Sequence, residues 1–212
     1  YHPLWIQFSK TSNYSKINNL NFKKFIKVIN EYSKFNKEFN IKKITKECII
    51  SNMFIIMKDL NIRVGNDIYL KENDSIGLCT MQKKNYINDK FIFKGKRGII
   101  HEKQLKKEHC FFIDKLKKIP GTFLFKYYKE NKFCKIDSID LNNFLKIYVD
   151  PNMTCKDIRT FYANEIFKKK LKELINKNDP KAKINAIKFT ANELGNTPKV
   201  CKDSYINPEL LL

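Results

Sequence analysis

The sequence predicts a mainly helical α+β fold. Three observations predict it. Apolar residues recur at helical spacing in several long stretches, residues 78–101 alternate in strand fashion, and helix start and stop signals crowd the last third of the chain. Hydrophobic residues make up 42% of the 212, with 17 Phe and 10 Tyr, which is ample for a core.

Residues 16–39 place Leu20, Phe25, Ile29, Tyr32 and Phe39 at near-helical intervals among lysines and asparagines, which predicts an amphipathic helix with a break near Asn36. Residues 44–60 are more apolar, with Ile49, Met53, Ile56 and Leu60 on one face and Ile50, Phe54 and Met57 beside them. This second helix is expected at the centre of the core. Gly65, Asn66, Asn73, Asp74 and Gly77 then punctuate 61–77 as irregular chain. In the alternating stretch Phe91 and Phe93 face one way, and Gly95 and Gly98 flank Lys96-Arg97. That pattern predicts a hairpin whose tip presents Lys96. A helix over 103–118 follows, then a second short hairpin over 122–136 around Lys129-Glu130-Asn131. Ser138 is placed to cap a helix over 139–148. Thr154 with Asp157 resembles a capping box opening a long helix to about Asn178. Asp179-Pro180 opens another, Gly195 closes it, and Thr197-Pro198 starts a last short helix through Tyr205. No internal repeat, low-complexity linker or domain boundary stands out, so residues 1–212 read as a single domain.

The net charge of +20 is the strongest bulk clue. It favours polyanionic partners, nucleic acid first and anionic membrane second, while solvated lysine faces are the plain alternative. No apolar run approaches the ~18–20 residues of a membrane span, and the start lacks a signal-peptide pattern. The chain begins at Tyr1 without methionine, as a fragment or processed product would. Six cysteines are spread singly without a CxxC pair, and three histidines offer no zinc spacing. The cysteines read as reduced, mostly buried thiols of an intracellular protein. No phosphate-binding nucleotide loop, GxSxG, HExxH or EF-hand loop occurs, and the carboxylates form no obvious two-metal cluster. Phosphoryl chemistry would have to work with cations and hydrogen bonds.

Of the 42 basic residues only Arg63, Arg97 and Arg159 are arginines, leaving 39 lysines. Arginine grips two phosphate oxygens with a flat fork where lysine offers a point charge, so these three positions stand out against chance placement. Arg63 lies in a Gly- and Asn-rich turn after the apolar helix, a good mount for an anion-gripping group or simply an exposed helix-end arginine. Lys96, at a hairpin tip, is either solvated or brought to a leaving-group oxygen as a general acid. Arg159 sits about one turn into the capped helix, where the helix N-terminus and a guanidinium together favour phosphate, or a salt bridge uses it. The Asn196 amide in Gly195-Asn196-Thr197-Pro198 can donate to an oxyanion or make a turn bond. Tyr205, one of ten tyrosines, is set apart only by its setting on the terminal helix.

Taken in order, these segments resemble the catalytic domain of type IB DNA topoisomerases of the compact kind found in poxviruses, giant viruses and some bacteria. Ile62-Arg63-Val64-Gly65-Asn66, with Tyr69 following, resembles that family's first arginine motif, and Ser75-Ile76-Gly77-Leu78-Cys79-Thr80 the strand after it. Phe93-Lys94-Gly95-Lys96-Arg97-Gly98 resembles the hairpin bearing the catalytic lysine. Lys156-Asp157-Ile158-Arg159-Thr160 resembles the second arginine motif, and Leu194-Gly195-Asn196-Thr197-Pro198 through Ser204-Tyr205 the segment ending in the nucleophile. Tyr1-His2-Pro3 is similar to the start of this region in bacterial members. Many members carry histidine where this chain has Asn196, although bacterial and giant-virus forms commonly use asparagine.

The resemblance implies a mainly helical α+β catalytic domain with a small antiparallel sheet carrying Lys96. It implies a family N-terminal clamp domain missing from this chain and an end at Leu212 that is truncated. It implies relaxation of supercoiled duplex DNA through a 3′-phosphotyrosyl intermediate on Tyr205, with Arg63, Arg159 and Asn196 holding the non-bridging oxygens and Lys96 protonating the 5′-oxygen. Tyr69 and Thr80 match positions that contact the DNA backbone, and Arg97 is expected to track it. No ATP or metal would be needed, and the partner would be duplex DNA, bound by a monomer away from membranes. The setting would be intracellular: a virion or viral factory in the host cytoplasm, a bacterial cytoplasm, or a nucleus. The competing readings are a tyrosine recombinase or integrase, which usually has histidine where Lys156 stands, and a non-catalytic basic DNA-binding module.

Overall fold

The helical periodicity near the start becomes helix α1 (Asn19–Tyr32), which ends before Ser33 within the expected 16–39, residues 16–18 of that span lying outside the described residues. The computed structural model describes residues 19–35, 40 and 42–212, so Phe39 and the expected break at Asn36 lie outside the described residues. Phe25 and Ile29 are buried as the pattern requires, but Leu20 is 71% exposed and takes no part in that face. The described chain divides into two units: residues 19–22 with Asn152–Leu212, and Lys23–Pro151.

In the larger unit the central element is α2 (Lys46–Leu60), capped by Thr45, whose hydroxyl accepts the Cys48 N–H at 3.1 Å. Ten of its residues are buried, which is why its apolar residues run almost all round instead of forming one stripe. Phe54 packs edge-on against Phe25 (5.5 Å between ring centres) and beside Phe144 (5.8 Å) of α5 (Ser138–Tyr148). The cap of α5 is Asp137, one residue before the expected Ser138; its carboxylate accepts the Asp140 N–H at 2.9 Å. A short helix, α3 (Asp67–Asn73), occupies part of the stretch expected to be irregular. It has no buried residue, so it left no apolar period to read.

Strands β1 (Tyr86–Ile87), β2 (Lys90–Lys94) and β3 (Ile100–Gln104) form an antiparallel sheet in the order β1-β2-β3, with Lys94 opposite Ile100. Phe91 and Phe93 are buried as the alternation demands. Because β3 continues to Gln104, the helix expected from 103 is α4 (Lys107–Lys117). The second hairpin is β4 (Lys126–Lys129) with β5 (Lys132–Lys135), turning on Glu130 and Asn131, both at positive φ.

The smaller unit holds α6 (Cys155–Asn176), α7 (Ala182–Leu194), α8 (Pro198–Ser204) and a closing turn at Pro208–Leu211. Ala163, Phe167, Ala186, Ala191, Leu194, Cys201 and Ile206 are its buried core. Small alanines at the α6–α7 contact let these helices approach closely around Phe167. Phe22 stacks on Phe161 at 3.5 Å. The start of α7 falls two residues after Pro180, because Asp179 first makes its own turn with Lys181 N–H (2.8 Å) and Ala182 N–H (3.1 Å).

Candidate active site

Arg63 lies in the link between α2 and α3, and backbone pairing fixes that link. Leu78 N–H donates to Arg63 O (2.8 Å) and Cys79 N–H to Val64 O (2.7 Å). Such pairing brings the Gly65 backbone against that of Gly77. A Cβ on Gly77 would stand 2.7 Å from Arg63 O, and Gly65 sits at φ +80, so both glycines are required where they are. One residue before Gly77, Ile76 N–H donates to Lys94 O (2.8 Å), at the foot of the Lys96 turn. A short chain of backbone hydrogen bonds thus couples the mounts of Arg63 and Lys96.

Thr80 ends the short turn that follows Gly77. It is fully buried, and its hydroxyl accepts the Gly77 N–H at 2.9 Å and lies 3.3 Å from Gly77 O. With this geometry the side chain closes the Gly77–Thr80 turn. Tyr69 is on the open side of α3, 59% exposed. Asn66 caps that helix by accepting the Ile68 N–H at 2.7 Å.

Lys96 and Arg97 occupy the turn between β2 and β3, both exposed. Gly95 N–H donates to Ile99 O at 2.7 Å and Gly98 N–H to Gly95 O at 3.2 Å, closing the turn tightly enough to hold Arg97 at φ 64. His101 supports it from β3: its ring stacks on Phe93 (5.1 Å) and fills the space a Gly95 Cβ would need, 2.5 Å away. Lys96 therefore stands on a pinned apex, where sequence alone gave only a hairpin tip.

In the smaller unit, Arg159, Asn196 and Tyr205 come together around the C-terminal end of α7. The Thr154 N–H and hydroxyl both donate to Asp157 Oδ2 (2.8 and 2.7 Å), so the carboxylate half of the expected capping box starts α6 and fixes the turn carrying Arg159. Arg159 is 7% exposed, donates from Nη2 to Leu194 O, and holds its guanidinium carbon 5.7 Å from the centre of the Tyr205 ring. Gly195 takes φ 61, ending α7, and Asn196 N–H turns back to Ala191 O at 2.8 Å. Thr197 caps α8 by accepting the Val200 N–H at 3.3 Å, with Pro198 in the first turn as expected. Tyr205 follows α8 with a half-buried side chain, its N–H bonded to Cys201 O at 3.0 Å. Burial pushes the Cys201 thiol up to about 11 although the Arg159 charge pulls the other way, so it stays protonated at neutral pH. Sequence reasoning missed Asn164 on α6, a buried amide that bonds the backbone at Tyr205 and Asn207. Its only signal was a polar residue on the buried face of a helix.

One further cluster of metal-type donors appears among the described residues, with Asp59, Glu108 and His109 ligand atoms within 4.8 Å of one another. Its chemistry is that of an ion pair: Asp59 Oδ2 is taken by Lys106 Nζ (2.7 Å) and His109 Nε2 (2.9 Å). Burial alone would raise the Asp59 carboxyl, but those hydrogen bonds and the Lys106 charge hold it below its usual range.

A family model described as the catalytic core of eukaryotic DNA topoisomerase I matches residues 5–203. The chain belongs to the type IB topoisomerase family. Curated type IB relatives include DNA topoisomerase 1B of Acanthamoeba polyphaga mimivirus, 30% identical over 97% of this chain and 65% of the relative. DNA topoisomerase 1 of rabbit fibroma virus (strain Kasza) is 31% identical over 73% of the chain and 50% of the relative. DNA topoisomerase 1B of vaccinia virus (strain Copenhagen) is 29% identical over 88% and 62%. The chain thus spans between half and about two thirds of the length of these relatives. The mainly helical architecture with small antiparallel sheets agrees with a type IB catalytic core. Among the described residues no helix is long and apolar enough to cross a membrane.

Proposed function

We propose that the chain relaxes supercoiled duplex DNA by cutting and resealing one strand through Tyr205, without ATP or a metal ion. The observation that carries this reading is the convergence of Arg159 and Tyr205 at the end of α7, 5.7 Å between guanidinium and ring, in a chain of this family. The Tyr205 oxygen attacks phosphorus and loses its proton to solvent. A tyrosyl O–P bond forms, the bond to the 5′-oxygen breaks, and Lys96 passes a proton to that oxygen. Arg63, Arg159 and Asn196 hold the non-bridging oxygens as negative charge builds, the kind of stabilisation that gives the largest rate gains. The nicked duplex rotates, and the 5′-hydroxyl attacks the phosphotyrosine to reverse each step. Bond energy is kept throughout, so no nucleotide is consumed.

Tyr69 and Arg97, both exposed, are proposed to meet the DNA backbone, and Thr80, buried in the turn that pairs with the Arg63 link, is proposed to bring that turn to it. Residues 1–212 are proposed to act as one catalytic domain, binding duplex DNA as a monomer in an intracellular setting, that of a virus-infected cell. The test uses labelled duplex, a detergent quench and supercoiled plasmid in chelator. The chain should form a 3′ protein–DNA adduct and relax the plasmid. Tyr205→Phe should do neither, because phenylalanine has no oxygen to attack with, and an undiminished adduct from it would falsify the assignment.

A further inference from the structure

We infer that Asn164 is a positioning residue for the Tyr205 nucleophile, an inference that rests on the reading just proposed. Asn164 lies on α6, 8% exposed, and its amide is used on both ends. Nδ2 donates to Thr160 O one turn back (2.8 Å) and to Tyr205 O (2.7 Å), while Oδ1 accepts the Asn207 N–H (2.8 Å). The orientation of the amide is fixed by these partners, since two carbonyls face one end and an N–H the other. Between the two clamped peptides, Ile206 is buried in the core and its N–H goes to Cys201 O at 3.2 Å. The backbone immediately after the Tyr205 side chain is thereby held to α6, the helix that also carries Arg159, while the Tyr205 N–H on the other side goes to Cys201 O of α8.

The clamp matters because Tyr205 has left the helix. It sits at the end of α8 with φ −130 and ψ −36, where helical hydrogen bonding no longer dictates the direction of its side chain. In-line attack requires the phenol oxygen at near-contact distance from phosphorus, and a misplacement of about 1 Å can cost on the order of 10²-fold in rate. Asn164 touches neither phosphate nor phenol. Its effect runs through the position of residues 205–207.

Single-turnover cleavage at saturating DNA, DNA affinity and thermal unfolding are to be measured for Asn164→Ala and Asn164→Asp. The duplex is used in its normal form and with the bridging 5′-oxygen replaced by sulfur, which leaves without needing a proton. Asn164→Ala should cleave at least about tenfold more slowly on both duplexes, with DNA affinity nearly unchanged. A mispositioned nucleophile is not repaired by a better leaving group, so the sulfur duplex separates this role from the leaving-group role given to Lys96. Asn164→Asp keeps the acceptor for Asn207 N–H but turns the donor facing Tyr205 O into a second acceptor. It should be slow at neutral pH and recover relative to wild type as its carboxyl protonates in acid, and it carries the test if the alanine variant does not fold. Wild-type cleavage by either folded variant at neutral pH, or restoration by sulfur, overturns the inference. An adduct that survives Tyr205→Phe overturns instead the reading on which it rests.

Discussion

Lys96 stands at the apex of a turn whose backbone is pinned by Gly95, Ile99 and the stacked His101. A solvated lysine needs no such support, whereas a proton donor to one particular oxygen does, because proton transfer demands hydrogen-bond reach in the transition state. Lys96→Ala should therefore slow single-turnover cleavage by about 10²-fold or more while DNA affinity changes little. Sulfur in place of the bridging 5′-oxygen should restore most of the lost rate. An equally impaired sulfur duplex would give Lys96 a different task. Arg97 shares the turn at φ 64 and is exposed, and the proposed reading asks of it only a charge that follows the DNA backbone.

At the scale of elements, the Arg63 link and the Lys96 hairpin depend on one contact that sequence patterns do not display. Gly65 and Gly77 are twelve positions apart, and only the fold shows that their backbones meet. Gly77→Ala would drive a methyl group into backbone that cannot swing aside. The expected cost is about 1–3 kcal/mol of stability. A loss of cleavage greater than the fraction unfolded should accompany it, because Arg63 moves with the link. Cleavage that simply tracks the folded fraction would show that Arg63 does not depend on this contact. A second element-level prediction concerns Asp59, in the last turn of α2, whose ion pair reaches Lys106 and His109 at the start of α4. Its folded carboxyl titrates below the unfolded value, so its stabilisation is present above about pH 4 and is lost as pH falls through the folded value. Asp59→Asn should be less stable at pH 7 by on the order of 1–2 kcal/mol, and the difference from wild type should close in acid. A pH-independent difference would mean the ion pair contributes nothing. What sequence made legible was local: the cap at Thr154, the stop at Gly195, the proline start of α8 and the alternation of Phe91 and Phe93. What it hid depends on distant partners or on exposure. The short α3 has no buried face, Thr80 turned inward to Gly77, and the Asn164 bonds to Tyr205 and Asn207 join residues more than forty positions apart.

For the whole molecule, the proposed reading makes charge the first determinant of how the domain would meet DNA. The chain carries 42 basic and 22 acidic residues, so even if every carboxylate were paired, 20 cations would remain in excess. The ion pairs along α6 show how the acids are spent: Glu165 on Lys168, and Glu173 on both Lys170 and Lys177. These pairs are solvent-facing and add little to stability. Excess positive charge raises the free energy of the folded chain through self-repulsion, and a duplex relieves it while releasing condensed counterions. Lysine is suited to this task because it tracks phosphates as a point charge without demanding one geometry, and the proposed function leaves the geometry-demanding contacts to Arg63 and Arg159. Affinity for a plain duplex, measured for Tyr205→Phe so that cleavage does not intrude, should therefore fall by at least about 10³-fold between 50 and 200 mM salt, as expected for six or more phosphate contacts. The fall should be the same for unrelated duplex sequences. A nearly flat salt profile would mean that the excess charge lies away from the DNA, and the steering role assigned to the lysines would have to be given up.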